Sequence, residues 1–323
     1  MAALVLISHA LVRWMIHRGT LDHPVERSSH TAPTPKGGGV GIVAACVLGT
    51  LVLPPHAGGS VVVLCGALAL AAFSYLDDLR SQGFAIKLAV QTAAACCALA
   101  AGSRATDLAL PGLPVLHLGP AGAMLALGWL LFVTNAVNFI DGLNGLASGS
   151  AGIASLALAA AGGPVAPALP LAAGIAGFLP LNYPRARIFM GDVGSQFCGI
   201  LLAAMAVRAA DSPSLVLIVP LALMPILLDV AFTLLRRARA GDRLTEAHRS
   251  HLYQIAQRAG VPAARVTALY WVMSVWGALC GVTAGRVAQP VFTALAIAAA
   301  ALPLLPWGVY SAHKAQQAGI TRW

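Results

Sequence analysis

The sequence predicts an all-α fold of the polytopic integral membrane class, with about eleven transmembrane helices. Three observations lead there. Of the 323 residues, 59% are hydrophobic and only 10% are charged, with a mean hydropathy of +0.81, whereas a soluble domain carries about 25% charged residues. Apolar stretches near ~20 residues, the length that crosses a hydrocarbon core, recur along the whole chain. The basic residues between those stretches fall overwhelmingly on one side. The expectation is a single transmembrane domain over 1–323, with no large soluble domain and no removable signal peptide.

Taken in order, the spans are expected at about 2–17, 39–55, 60–76, 86–102, 120–137, 146–161, 165–182, 193–209, 214–235, 266–284 and 290–310. The first is short and is interrupted by Ser8, His9 and Arg13. An odd number of spans puts the termini on opposite sides. With the N-terminus outside and the C-terminus cytoplasmic, 17 of the 20 Lys and Arg face the cytoplasm, and the outer side keeps Arg104, Arg208 and Arg286. The excess of inner positive charge selects this orientation. The net charge of +9 is then mostly a cytoplasmic face suited to anionic headgroups and phosphates. The six cysteines lie in apolar runs without zinc-type spacing, and read as core thiols.

Topology accounts for most of the arginines. It does not account for the carboxylates among them. Eight of the eleven acidic residues fall in inner-side segments: Asp22, Glu26, Asp77, Asp78, Asp141, Asp192, Asp242 and Glu246. Asp77 and Asp78 close the third span, Asp141 closes the fifth, and Asp192 opens the eighth. Adjacent carboxylates repel, and without a cation one tends to keep its proton. A divalent ion such as Mg²⁺, which keeps waters and bridges to phosphates, would turn such a cluster into an anion site. A solvated helix end for Asp77 and Asp78, or a helix cap for Asp192, is the structural alternative.

Asn135 to Gly145, NAVNFIDGLNG, is the central polar insertion. Asn135, Asn138 and Asp141 stand at i, i+3 and i+6, roughly one helical face. Polar groups at that depth are costly in lipid unless they face a watery or ligand-filled cleft. Leu21 to Gly39 ends in Lys36 and three glycines, whose backbone N–H groups at a helix start suit an anion; it is not a Walker loop. Arg236 to Arg265 is the longest polar stretch, and its HRSHLYQ run places His248, Arg249 and His251 where they could grip a diphosphate. The active site is expected on loops 18–39, 77–86, 138–146, 183–192 and 236–265.

Together LDHPVERSSHTAPTPKGGG, YLDDL, NAVNFIDGLNGLA, NYPRARIFMGDVGS and HRSHLYQ resemble, in order and spacing, the polyprenyl-phosphate N-acetylhexosamine-1-phosphate transferase superfamily (glycosyltransferase family 4). The resemblance runs from Leu21 to about Tyr253 and looks closest to the bacterial enzymes that start O-antigen and related polysaccharides. It implies an eleven-helix fold with an outside N-terminus, in the bacterial inner membrane with a cytoplasmic site. It implies transfer of an N-acetyl-sugar 1-phosphate from a UDP-sugar to undecaprenyl phosphate, giving undecaprenyl-diphosphate-sugar and UMP. It implies Mg²⁺, with Mn²⁺ as a substitute. The partners implied are the UDP-N-acetyl-sugar, undecaprenyl phosphate and membrane lipid, with no nucleic acid and with a homodimer left open.

Residue by residue, Asp192 matches the family's Mg²⁺-associated aspartate, and Asp77 and Asp78 match its paired aspartates, assigned to metal and to deprotonation of the lipid phosphate. Asn138, Asp141 and Asn144 match the nucleotide-site motif. Lys36, His248, Arg249 and His251 match basic positions around the diphosphate, and Arg187 a basic position ahead of FMGD. Asn144 stands where other members often carry aspartate. HRSHLYQ differs from the His-rich motif of the phospho-MurNAc-pentapeptide transferases, which ranks that peptidoglycan substrate second. A transporter is the alternative from another class, although its polar sites tend to lie near the midplane and these lie at one face. A CDP-alcohol phosphotransferase would need an Ala-Arg pair after the DG, which DGLNGLASG lacks. Asp229, inside the ninth span, is assigned to neither structure nor site.

Overall fold

A computed structural model describes every residue except 19, 23–31, 54–58, 81, 104, 164, 247 and 321–323. Glu26, Arg27, Arg104 and Arg322, which entered the charge argument, lie outside the described residues. The chain is mostly helical, and a helix occupies each expected apolar segment.

The helices are α1 (Ala2–Arg18), α2 (Gly39–Val52), α3 (Gly59–Leu79), α4 (Phe84–Ala100), α5 (Pro120–Ile140), α6 (Leu146–Ala160) and α7 (Val165–Asn182), then α8 (Asp192–Arg208), α9 (Ile218–Ala222), α10 (Met224–Arg239), α11 (Leu252–Arg258), α12 (Ala263–Val287), α13 (Pro290–Ala301) and α14 (Leu304–Gln317). Two short antiparallel pairs complete the described fold: β1 (Leu21–Asp22) with β2 (Thr34–Pro35), and β3 (Asp107–Leu108) with β4 (Leu116–His117).

Among the described residues four helical stretches are long and apolar enough to cross a membrane: Val61–Leu79, Pro120–Ile140, Ala263–Val287 and Pro290–Gln317, the last holding both α13 and α14. Shorter apolar helices include Gly39–Val52, Phe84–Ala100, Leu146–Ala160 and Ala166–Asn182. Large apolar side chains such as Leu76, Leu125, Val272 and Leu305 are exposed on the outer faces, as expected where lipid replaces water as the solvent.

The core is organised around α8. Every residue from Val193 to Val207 is buried, so this helix, apolar on every face beyond Ser195 and Gln196, sits inside the bundle. It packs on α2, α3, α5 and α6, and its first residue, Asp192, is delivered where those helices end. The expected ninth span is not one helix. It breaks at Leu223, between α9 and α10, with Pro220 and Pro225 on either side; proline lacks the N–H that a continuous helix needs. The thiol reading holds for Cys46, Cys198 and Cys280, which are buried, while Cys65, Cys96 and Cys97 face outward on α3 and α4; all six are free.

Candidate active site

Asp77 and Asp78 occupy the last turn of α3, and Asp192 the first turn of α8. The positive end of the α8 dipole favours a carboxylate at that position. The backbone N–H of Asp192 donates to Asp78 Oδ2 at 3.1 Å. Gly191 makes this approach feasible: its φ is +75°, and a Cβ there would lie 2.7 Å from Asp78 Oδ2. Lys36 Nζ lies 3.4 Å from Asp78 Oδ1. Lys87, on α4, lies 2.5 Å from Asp77 Oδ2 and 3.9 Å from Asp192 Oδ2. Asp77 is almost fully buried, and its other oxygen accepts the Gln82 N–H at 2.6 Å.

The opposite wall comes from α5. This helix extends through Ile140, so Asn138 sits on its last turn rather than in a loop. Asn138 Nδ2 donates to Asp192 Oδ1 and to Ser195 Oγ, both at 2.9 Å. Asp141 follows at the helix end, and its carboxyl is pushed well above the usual carboxylate range, first by desolvation and then by the charges of Asp192 and Asp78. Asp78, Asp141 and Asp192 therefore form one electrostatic group, with Lys36 and Lys87 beside it.

Asn135 has a different task from its two neighbours. Its side chain exchanges hydrogen bonds with Gln91 of α4, at 2.9 and 3.2 Å, and Gln91 also donates to Gln196 of α8 at 3.1 Å. These amides satisfy one another inside the bundle, as buried polar groups must, and tie α4, α5 and α8 together just behind the carboxylates.

Two of the three glycine N–H groups after Lys36 already have backbone partners. Gly38 N–H donates to Phe189 O and Gly39 N–H to Met190 O, both at 2.9 Å. Phe189 N–H in turn donates to Pro35 O at 2.8 Å, and Lys36 pairs with Phe189 in a parallel β-bridge. Two of the backbone donors expected to meet an anion instead join the 35–39 and 189–190 segments. Positive charge at this point is carried by the Lys36 ammonium, beside Asp78.

The HRSHLYQ run packs against the end of α5. Tyr253 OH donates to Phe139 O at 2.9 Å, the His251 ring centroid lies 6.1 Å from that of Phe139, and a side chain at Gly142 would collide with the Tyr253 hydroxyl. His251 is buried, with its ring 4.9 Å from that of His248. His248 bonds with Ser250 Oγ through Nδ1 at 2.9 Å, and its pKa is pushed down to about 4 by burial and by the charges of His251, Arg237 and Arg236. At neutral pH it is a neutral hydrogen-bonding group. His248 also lines a cavity of about 700 Å³ whose charged walls are five arginines, among them Arg236 and Arg249, with Asp242 and Glu246.

The remaining two residues sit apart. Asn144 Nδ2 donates to Pro184 O at 3.1 Å and its carbonyl accepts from Thr267, so it braces the 183–191 segment. Arg187 is exposed and, among the described residues, forms no ion pair. The residues missed from sequence are Lys87, Gln91 and Ser195. Lys87 and Gln91 stand four apart in an otherwise apolar segment, a spacing that marks one helical face.

Among the described residues no three His, Cys, Asp or Glu side chains form a ready metal cage. The donor set nevertheless suits Mg²⁺, which takes one or two carboxylates and leaves the rest of its shell to water and phosphate. Burial, and after it the charges of Asp192 and Asp78, raises the Asp141 pKa, and a cation at this point would offset that repulsion.

The family model for glycosyl transferase family 4 matches residues 60–210, which carry Asp77, Asp78, Lys87, Asn138, Asp141 and Asp192. The decaprenyl-phosphate N-acetylglucosaminephosphotransferase of Mycobacterium tuberculosis is 30% identical over 305 residues, covering 81% of this chain and 75% of the relative. The chain belongs to glycosyl transferase family 4. Two further relatives frame this family-4 protein. A Bacillus subtilis protein named "Probable undecaprenyl-phosphate N-acetylglucosaminyl 1-phosphate transferase" is 28% identical over 260 residues, covering 77% of this chain and 73% of its own length. The phospho-N-acetylmuramoyl-pentapeptide-transferase of Heliobacterium modesticaldum is 32% identical over 275 residues, covering 78% and 83%.

Proposed function

We propose that this family-4 protein is a phosphoglycosyltransferase that moves an N-acetyl-sugar 1-phosphate from a UDP-sugar to undecaprenyl phosphate, the first membrane step of O-antigen or related envelope polysaccharide synthesis. The observation that carries the reading is the meeting of Asp78, Asp141 and Asp192 with Lys36 and Lys87 at the ends of α3, α5 and α8. Two anions must react there. A lipid phosphate oxygen attacks the β-phosphorus of the donor; the bond from that phosphorus to the bridging oxygen breaks, and UMP leaves. Most of the work in such a transfer is positioning and neutralisation of phosphoryl charge.

In this reading Lys36 and Lys87 attract the phosphates, and Asn138 fixes Asp192 through its 2.9 Å bond. Asp192 would hold Mg²⁺, or Mn²⁺, with Asp78 and Asp141 as its neighbours. The ion supplies charge neutralisation at the transferring phosphoryl group. Asp77, held between Lys87 and the Gln82 amide, keeps Lys87 in place. Asp78 is the carboxylate best placed to take a proton from the lipid phosphate. His248, Arg249 and His251 reach in from the other side of the 138–142 segment. Asn144 and Arg187 bound the nucleotide end.

In this reading the protein lies in the bacterial inner membrane with eleven spans, the N-terminus outside and the site on the cytoplasmic face. The one-sided basic charge supports this. The test is UMP release by purified protein given undecaprenyl phosphate and a panel of UDP-N-acetyl-sugars. Turnover with UDP-N-acetylhexosamines is the expected result; release of UMP with none of them overturns the reading. The similarity to the Heliobacterium modesticaldum protein supports a second donor, UDP-MurNAc-pentapeptide, and the same panel decides between the two.

A further inference from the structure

We propose that Asp229 is a positioning residue of the transfer site, holding the His251 imidazole and the backbone of HRSHLYQ against the 138–142 segment. The inference rests on the transferase reading above. Asp229 lies in α10 and is fully buried. A carboxylate in an apolar bundle is costly unless its oxygens are satisfied, and here both are. Oδ1 accepts the Leu252 N–H at 2.9 Å and the Thr233 hydroxyl at 3.2 Å. Oδ2 accepts the Tyr270 hydroxyl at 2.5 Å and the Tyr253 N–H at 3.3 Å. Trp307 Nε1 backs Tyr270 by donating to its oxygen at 3.2 Å.

His251 Nδ1 stands 3.4 Å from Asp229 Oδ1. The two atoms are in electrostatic contact without a hydrogen bond between them, and both are buried, so the carboxylate fixes where the ring sits. The same face of α10 continues the grip. Asp229, Thr233 and Arg236 are spaced i, i+4 and i+7, one stripe of a helix, and the last two reach Ser250 O at 3.5 and 2.7 Å. One stripe therefore fixes Ser250, Leu252 and Tyr253 and leaves His251 framed between them. Tyr253 then carries the restraint to Phe139, next to Asn138, through its 2.9 Å bond. An ordinary core role would be met by an apolar residue of similar volume; the convergence of donors from α10, α11 and α12 on the one residue that also faces His251 points to orientation.

The test compares wild type, Asp229→Asn, His251→Gln and the double variant for UMP release with UDP-N-acetylglucosamine and undecaprenyl phosphate. Hydrogen exchange is followed at residues 250–254. An amide at 229 turns a donor toward groups that are themselves donors. Asp229→Asn is expected to lower kcat about tenfold or more, to leave KM for the UDP-sugar within about threefold, and to speed exchange at 250–254. If Asp229 works through His251, the double variant loses no more than His251→Gln alone. Additive losses, or an unchanged kcat in Asp229→Asn, overturn the proposal. If Asp229→Asn does not fold, Tyr270→Phe removes one donor and carries the same test. It should lower kcat by about two- to fivefold in wild type and not at all in the His251→Gln background. Absence of UMP release by wild type defeats the transferase reading itself, and exchange at 250–254 still reports whether Asp229 holds the segment.

Discussion

The backbone N–H of Asp192 donates to the carboxylate of Asp78 at 3.1 Å, so the last turn of α3 accepts from the first turn of α8. The bond leaves the Asp192 carboxylate free of capping duty and aimed at Asn138. Asp192→Asn should therefore fold normally and lose Mg²⁺-dependent turnover by about 100-fold or more. The check is UMP release across a Mg²⁺ titration, with thermal unfolding alongside. Normal turnover with unchanged Mg²⁺ dependence would make Asp192 a helix start and nothing more.

Lys87 is the counter-charge of Asp77, at 2.5 Å, and the neighbour of Asp192. Lys87→Met keeps the apolar stem and removes the ammonium, leaving a nearly buried carboxylate without its cation. The expected result is a loss of about 1–3 kcal/mol in stability and a fall in kcat/KM of about 10- to 100-fold. The double variant Lys87→Met with Asp77→Asn should recover much of the stability and little of the activity. Recovery of both would remove Lys87 from the site.

Asp141 is crowded by Asp192 and Asp78, and its carboxyl keeps its proton well above the usual range. A folded pKa above the unfolded one means that stability falls as pH rises through that interval. Asp141→Asn should thus raise stability near neutral pH, on the order of 1 kcal/mol in EDTA, while lowering turnover. Added Mg²⁺ should raise the Tm of wild type more than that of Asp141→Asn. Equal shifts in the two proteins would separate Asp141 from the ion.

Much of this site was legible in the sequence, and the reasons are local. Asp192 after Gly191, Asn138 and Asp141 one turn apart, and Asp77 with Asp78 at a helix end are all marked by polar residues closing or opening apolar runs. Lys87 and Gln91 were hidden because an apolar helix with one Lys is indistinguishable from a span with a topological charge until its facing helix is known. Gly38 and Gly39 pair with Phe189 and Met190, a partnership some 150 residues distant that no local pattern encodes. The break at Leu223 falls between Pro220 and Pro225, a signal in the sequence that the expected span at 214–235 does not use.

His248 is neutral at pH 7, with its pKa near about 4. Its hydrogen bond to a phosphate is then of the ordinary kind, and His248→Ala should cost about 3- to 10-fold in turnover, against about 10- to 100-fold for His251→Ala. The pH dependence has a definite sign. Between its usual value of 6.5 and about 4 the unfolded chain protonates this histidine and the folded protein does not, so stability is lost as pH falls through that window. His248→Gln should flatten that part of the Tm profile relative to wild type. Identical profiles would place His248 in solvent.

Orientation is tested by labelling single introduced cysteines in intact cells, in a background free of native cysteine. Sites beside Arg208 and Arg286 should react with a membrane-impermeant reagent, and sites beside Lys36, Asp77 and His248 should not. External labelling at His248 would overturn the cytoplasmic site.

The bridge between Lys36 and Phe189 has a consequence for which changes the chain can tolerate. Three residues on one side and two on the other are stitched by Phe189 to Pro35, Gly38 to Phe189 and Gly39 to Met190. The seam is a single bridge that runs straight into the first turn of α2, so a shift by one residue would change which side chain stands beside Asp78. A point substitution in this seam alters one contact. A single-codon insertion or deletion would turn the Lys36 ammonium away from Asp78 and shift Gly191 out from under it, so length here is more constrained than composition.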